Sequence, residues 1–274
     1  MNTADLEATA LSLVTPGKGI LAADESRRTL ELRFNAAGIP FSEAAGRAYR
    51  EMLFSTPGLG AFISGVILTE ETLAQATAAL APLLAQHLCL GVKVDLGLSP
   101  LALFPGETCT EGLDGLRVRL SQALASGARF SKWRAVFGIQ PQSPTDGAVQ
   151  ANAHALARFA ALSQEVGLTP VVEPEVLMTG GHSLERHAAV TSCVLREVFR
   201  ALVAQRVHLE AMVLKTNLVL PGSACGEHVA PAMIAGATLQ VMRRVVPAAV
   251  PGIAFLSGGL SEEEATRHLN ALNH

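Results

Sequence analysis

The residue best suited to covalent chemistry in this sequence is Lys215, the single cation near the end of the largely apolar run 209–220. Such a run is typical of a parallel strand buried on both faces, so Lys215 is expected where water is scarce. Desolvation lowers the pKa of an ammonium group, and a neutral amine can form a Schiff base with a ketone. The alternative is a lysine just past the strand end, with its ammonium group in solvent.

Three other predicted strands carry pairs of charged residues two positions apart. Residues at positions i and i+2 face the same side of a strand. Charges on an inward face are costly unless they pair with one another or bind a ligand. The pairs are Lys93 and Asp95, Lys132 and Arg134, and Glu173 and Glu175. The alternative is that Glu175 only forms an ion pair with Arg134 and has no role in chemistry.

A second lysine close to Lys215 would make it a better nucleophile. If Lys132 lies about 6 Å away at an effective dielectric constant near 20, repulsion is roughly 2.8 kcal/mol, or about two pKa units. Glu173 and Glu175 supply carboxylates for proton transfer. A partly buried carboxyl with a raised pKa suits an acid that protonates the departing water of a carbinolamine.

Two further stretches add polar groups. Asp24 ends a short predicted strand, and the alternative is that it caps a helix. The turn Ser257-Gly258-Gly259 lies just ahead of a helix N-terminus at Ser261, where backbone amides favour phosphate, although it could be a plain turn.

Predicted strands and helices alternate along the whole chain, which indicates a parallel sheet with crossover helices. The predicted strands are 17–24, 65–68, 91–95, 130–137, 170–176, 209–220 and 252–259, and the helices are 3–15, 42–55, 70–88, 113–125, 149–164, 183–205 and one opened by a capping box at Ser261.

An α/β fold of the TIM (β/α)8 barrel type fits this alternation best, and its active site lies at the C-terminal ends of the strands, where all these charged residues would meet. An open doubly wound sheet is the alternative. Its nucleotide-binding forms usually carry a glycine-rich turn after the first strand, whereas Gly17-Lys18-Gly19 comes at the beginning of that strand here.

Composition narrows the function classes. The chain of 274 residues is 49% hydrophobic and 16% charged, without a linker or composition shift, which predicts one domain. No apolar run or basic leader indicates a membrane span or signal peptide, so a cytoplasmic protein is expected.

The four cysteines are scattered without zinc-type spacing, which predicts no metal and no disulfide framework. No cofactor is expected. A net charge of -3 argues against nucleic-acid binding.

Several long motifs resemble the class I (Schiff-base) fructose-bisphosphate aldolase family, which is metal-free. They run in order over essentially the whole chain as GKGILAADES, GVKVD, FSKWRAV, VVEPEV, LKTNLV and FLSGGLSEEEA. The resemblance implies reversible cleavage of fructose 1,6-bisphosphate to dihydroxyacetone phosphate and glyceraldehyde 3-phosphate in glycolysis and gluconeogenesis. It also implies a homotetramer. Another Schiff-base barrel lyase, such as a transaldolase, is an alternative that the ordered motifs disfavour.

The resemblance also implies residue roles. Lys215 would be the Schiff-base lysine and Glu173 a general acid/base, while Asp24 would act in carbon–carbon cleavage, assisted by Lys132 and Glu175. Ser257 and Gly258 would bind one phosphate, and the residues implied to meet the other end of the sugar are Ser26, Arg33, Lys93 and Arg134.

The chain departs from the family in a few places. Ala211 and Thr216 stand where the family usually has Gly and Pro, and Leu96 stands where it has Lys. Residues 1–274 are expected to form a single barrel domain with seven of eight strands, C-terminally incomplete, because the family's eighth strand and tyrosine-ended tail have no counterpart here. Such a chain is expected to be a marginal fold and a poor enzyme. An inactive aldolase-like fragment that binds sugar phosphates or a protein is the remaining alternative.

Overall fold

Seven parallel strands form a nearly closed barrel in a computed structural model, which describes residues 3–75 and 77–273, with side chains for 3–74 and 80–273. Each of these seven strands pairs in parallel with the next one in the barrel, so the β-α alternation is confirmed. In chain order, with a short antiparallel hairpin formed by β4 and β5, the strands are β1 (Gly19–Ala23), β2 (Ile63–Thr69), β3 (Cys89–Lys93), β4 (Leu98–Pro100), β5 (Thr108–Thr110), β6 (Phe130–Phe137), β7 (Thr169–Val176), β8 (Val213–Thr216) and β9 (Ile253–Phe255).

Helices cover the outside of the barrel, and several begin next to a serine that caps them. Ser42 and Ser183 each accept a hydrogen bond from a backbone amide of the first turn, and Ser261 with Glu264 forms the predicted capping box. The helices are α1 (Thr3–Leu13), α2 (Arg27–Ala36), α3 (Glu43–Phe54), α4 (Glu70–Gln75), α5 (Thr77–Ala85), α6 (Leu116–Ala125), α7 (Asp146–Val166), α8 (Leu184–Ala204), α9 (Pro231–Val245) and α10 (Glu262–Ala271).

The structure corrects several predicted bounds. The strand predicted over 209–220 is a 3-10 turn at Leu209–Ala211 followed by the much shorter β8. The strand predicted over 252–259 is confined to β9, and the glycines after it form a turn. The helix predicted over 70–88 corresponds to α4 and α5, which end at Ala85, while position 76 lies outside the described residues. The elements α2, α9 and the β4–β5 hairpin were not predicted.

Close packing shuts the N-terminal end of the barrel beneath the site. A Cβ on Gly91 would lie 2.2 Å from the Phe130 ring, so glycine is needed where this ring crosses β3. Ala10 and Leu13 of α1 belong to the same buried hydrophobic cluster as Phe130. Thr169, at the start of β7, donates from its hydroxyl to the Leu6 carbonyl at 3.0 Å. Helix α1 is therefore fixed across this end, and the open end is the one that carries the charged residues.

Among the helices that the structure describes, none is both long and apolar enough to cross a membrane.

Candidate active site

The carboxylate of Glu173 lies between two lysines at the centre of the barrel mouth. Its Oε1 is 2.9 Å from Lys215 Nζ, and its Oε2 is 2.8 Å from Lys132 Nζ. The Glu173 and Lys132 side chains are 3% and 5% exposed, whereas that of Lys215 is 13% exposed. Lys215 is therefore the lysine of this pair that a small molecule can reach. The alternative of a solvated lysine beyond the strand is not what the structure has, because Lys215 lies within β8.

Lys132 joins a second carboxylate to this group. Its Nζ donates to Asp24 Oδ2 at 2.9 Å, and Asp24 follows β1 directly. Burial alone would raise the pKa of Asp24, but the charges of Lys132 and then Lys215 hold that pKa below its usual value. Burial likewise would lower the pKa of Lys132, and the nearby Glu173 and Asp24 carboxylates outweigh burial and raise it. Asp24 and Lys132 therefore form a charged pair near neutral pH.

The repulsion expected between Lys132 and Lys215 is offset in the structure. Both ammonium groups share the Glu173 carboxylate as a counter-ion, which the sequence did not indicate. Attraction to a carboxylate at these distances exceeds repulsion between two more widely separated cations. Glu173 is consequently the residue whose removal would disturb both lysines.

A second charged group lies on β3, β6 and β7 beside the first. Lys93 Nζ is 2.8 Å from Asp95 Oδ1, and Asp95 Oδ2 accepts from the Arg134 amide at 3.3 Å. Arg134 Nε is 2.5 Å from Glu175 Oε2, so the pairing of Glu175 with Arg134 is present. Asp95, named by its spacing but assigned no role from the sequence, pairs with the Lys93 ammonium and bonds the Arg134 backbone, while Glu175 holds the Arg134 guanidinium.

Two predicted substrate-binding residues lie at the start of α2 and within it, outside the ion pairs around Glu173. Ser26 caps this helix by accepting from the Thr29 amide at 3.2 Å. Arg33 is largely exposed and lies 2.5 Å from Glu25 Oε1. A phosphate that bound Arg33 would therefore compete with Glu25.

The turn after β9 lies beside the strand of Lys215. The Leu256 amide donates to the Thr216 carbonyl at 3.0 Å, which brings Ser257 to this end of the barrel. Gly258 and Gly259 have φ angles of +64° and +103°, which only glycine adopts readily. Ser261 then caps α10. The turn and the helix start fit an anion site, although within α10 the Glu264 carboxylate already accepts from the Ser261 amide.

Among the described residues, no group of three or more histidine, cysteine, aspartate and glutamate side chains is placed to hold a metal ion.

Comparison with known proteins supports one family throughout. The sequence model described as fructose-bisphosphate aldolase class-I matches residues 5–274. The chain belongs to the class-I fructose-bisphosphate aldolase family. This agrees with the resemblance seen in the motifs.

Named aldolases from bacteria and plants are similar over the whole chain. The Xanthomonas campestris pv. campestris protein named "Probable fructose-bisphosphate aldolase class 1" is 48% identical over 277 aligned positions, which cover 100% of this chain and 83% of that protein. The Arabidopsis thaliana protein named "Fructose-bisphosphate aldolase 5, cytosolic" is 50% identical over 273 positions, covering 98% of this chain and 76% of its own length.

A solved aldolase structure has the same fold. Plasmodium falciparum fructose-bisphosphate aldolase, crystallised with TRAP and a small-molecule inhibitor, superposes with a TM-score of 0.96 at 43% identity. The match covers 99% of this chain and 80% of the Plasmodium chain. The predicted TIM-barrel class is therefore confirmed for this aldolase.

Proposed function

We propose that the cluster around Glu173 carries out the class I aldolase reaction in this chain, with Lys215 as the nucleophile. The observation that carries the proposal is the position of one carboxylate 2.9 Å from Lys215 and 2.8 Å from Lys132. A buried acid/base in contact with a reachable amine is what Schiff-base chemistry needs.

The reaction begins with proton transfer and attack. Glu173 takes a proton from the Lys215 ammonium, and the resulting neutral amine attacks the ketone carbon of fructose 1,6-bisphosphate. The carbon–nitrogen bond forms as the carbon–oxygen π bond breaks, and a proton moves from the nitrogen to the oxygen, giving a carbinolamine. Glu173, as the acid, donates a proton to the carbinolamine hydroxyl, which leaves as water. The nitrogen lone pair completes the double bond, and the product is an iminium ion.

Cleavage then uses the iminium as an electron sink. A carboxylate removes the proton of the C4 hydroxyl, the C3–C4 bond breaks, and its electron pair moves toward the iminium to give an enamine. Glyceraldehyde 3-phosphate leaves. Protonation of C3 and hydrolysis of the resulting iminium release dihydroxyacetone phosphate and Lys215. We assign the cleavage step to Asp24, assisted by Glu175, and Lys132 holds Asp24 beside Glu173.

Residues around the barrel mouth are assigned to the two phosphates. Ser257 and Gly258, beside Lys215, bind one phosphate. The other end of the sugar meets residues of the neighbouring strands and of α2, namely Lys93, Arg134, Ser26 and Arg33.

Borohydride trapping tests the proposed nucleophile. The protein is incubated with dihydroxyacetone phosphate and EDTA, reduced with borohydride and mapped by peptide mass spectrometry. We expect a secondary amine at Lys215, and the presence of EDTA makes the label a test of metal independence as well. Lys215→Arg should abolish labelling, while Lys18→Arg, at the other end of the barrel, should leave it unchanged. Labelling at Lys132 or Lys93 would contradict the assignment.

We further propose a cytoplasmic protein, because Arabidopsis relatives are named cytosolic. The family resemblance favours a homotetramer, which sedimentation would test.

A further inference from the structure

Near the site, side-chain hydrogen bonds rather than backbone pairs connect the strands that carry Lys215 and Glu173. Their registered backbone pairs are Val171 with Val213 and Val172 with Leu214, both below the charged residues. The residue between the two carboxylates of β7 is Pro174, which has no amide hydrogen for a ladder bond.

Side chains make the next links across this gap. Thr216, fully buried, donates from its hydroxyl to the Pro174 carbonyl at 3.1 Å. One residue further, the Val176 amide donates to Asn217 Oδ1 at 2.9 Å. The Asn217 amide group in turn donates to Thr191 of α8 at 3.2 Å.

The Thr216 bond is the one closest to the chemistry. It connects the residue that follows Lys215 to the residue that lies between Glu173 and Glu175. Any sliding or splaying of β8 relative to β7 would lengthen this bond and the contact from Lys215 Nζ to Glu173 Oε1 together.

We propose that Thr216 is a positioning residue, whose hydroxyl ties β8 to the Pro174 carbonyl at the point where Pro174 donates no amide bond, and thereby keeps Lys215 aligned with Glu173. The proposal rests on the proposed role of Lys215. Misplacement of reacting groups by about 1 Å can lower the rate by about 10²-fold.

Three variants of the full chain test the proposal. Thr216→Val removes the hydroxyl and keeps the shape, while Thr216→Ser keeps the hydroxyl. Thr169→Val is the matched control, because it removes another buried threonine-to-carbonyl bond of β7, at the opposite end of the barrel. Cleavage kinetics, the rate of Lys215 trapping by borohydride and thermal unfolding are measured for each.

We expect Thr216→Val to lower kcat and the trapping rate by about 10- to 100-fold with KM changed less than about threefold. Thr216→Ser should recover both rates to within about threefold, and Thr169→Val should match the unmodified protein in kcat. If Thr216→Val does not fold, Thr216→Ala takes its place.

Two results would overturn the proposal. One is a Thr216→Val rate equal to that of Thr169→Val, and the other is a Thr216→Ser rate as low as that of Thr216→Val. Absence of label at Lys215 in the unmodified protein would instead refute the proposed function. A labelled protein that tolerates Thr216→Val refutes the positioning role alone.

Discussion

Glu173 is the residue on which the proposed chemistry depends most, because it contacts both lysines. Glu173→Gln keeps the side-chain shape but removes the charge and the ability to act as an acid/base. We expect kcat to fall by about 10²- to 10⁴-fold while affinity for the bisphosphate changes little. Steady-state kinetics and equilibrium binding measure the two effects.

A control is needed because breaking a buried ion pair also destabilises a protein. Glu197→Gln removes a carboxylate that pairs with Arg200 on α8, and it should leave kcat unchanged. Unfolding is followed for both variants. Parallel losses of kcat and binding affinity in Glu173→Gln would make Glu173 a structural partner of the lysines.

Spacing within single strands explains which site residues the sequence predicts. The Lys93–Asp95 pair follows from charges two positions apart. The Glu175–Arg134 pair joins residues 41 positions apart on two strands, and the sequence offered it only as an alternative to a functional role. The Asp24–Lys132 pair joins residues 108 positions apart, so its geometry depends on strand register, which periodicity does not supply. For the same reason the shared position of Glu173 and the bond from Thr216 were missed.

At the scale of elements, the alternation of strands and helices was predicted well and the bounds less well. The apolar run 209–220 could be a long strand by composition, yet β8 is short because a 3-10 turn precedes it and its backbone pairing with β9 ends at Thr216. Helix α9 begins with Pro231, a favourable first residue that could have indicated it. Ser26 could likewise have indicated α2.

Gly91 gives a prediction about the packing of these elements. Gly91→Ala places a methyl group against Phe130, and we expect overpacking to reduce the free energy of unfolding by about 1–3 kcal/mol. Gly236→Ala is the matched control, since it lies in the interior of α9 with nothing within 4 Å of its Cβ position. That change should stabilise the protein by about 0.5–1 kcal/mol. Denaturant unfolding measures both, and equal effects would contradict the packing argument.

At the scale of the whole molecule, β1 and β9 lie at the two ends of the strand order, and the described residues include no strand that pairs the two. The expected marginal stability and low activity of residues 1–274 stay predictions.

His187 makes the stability of this barrel depend on pH between about 6.5 and 4. It is fully buried on α8, where its ring stacks on His182 at 5.2 Å and its Nδ1 lies 3.4 Å from Thr191 Oγ1. Burial, and then His182, lower the pKa of His187 from 6.5 to about 4. The pKa of His182 is lowered by burial and then by Arg186.

The sign of the effect follows from proton binding. Between pH 4 and 6.5 the unfolded chain protonates this histidine and the folded chain does not, so the unfolded state holds more protons. The contribution of His187 to the free energy of unfolding is therefore fully present above pH 6.5. As the pH falls toward 4 this contribution is lost, which lowers the free energy of unfolding by on the order of 3 kcal/mol. Asp24 acts in the same direction, but below its usual pKa of 3.8 and thus outside this window.

We expect His187→Phe, which keeps the ring stack and removes the titration, to flatten the dependence of the unfolding free energy on pH across this window. The exposed His154 of α7 supplies the control, because His154→Gln should leave the slope unchanged. Urea unfolding at half-unit steps from pH 4 to 7 measures the slopes. If the slope in His187→Phe is undiminished, the protein loses stability in acid without this histidine. The protons that the unfolded state binds in this window would then belong to other groups.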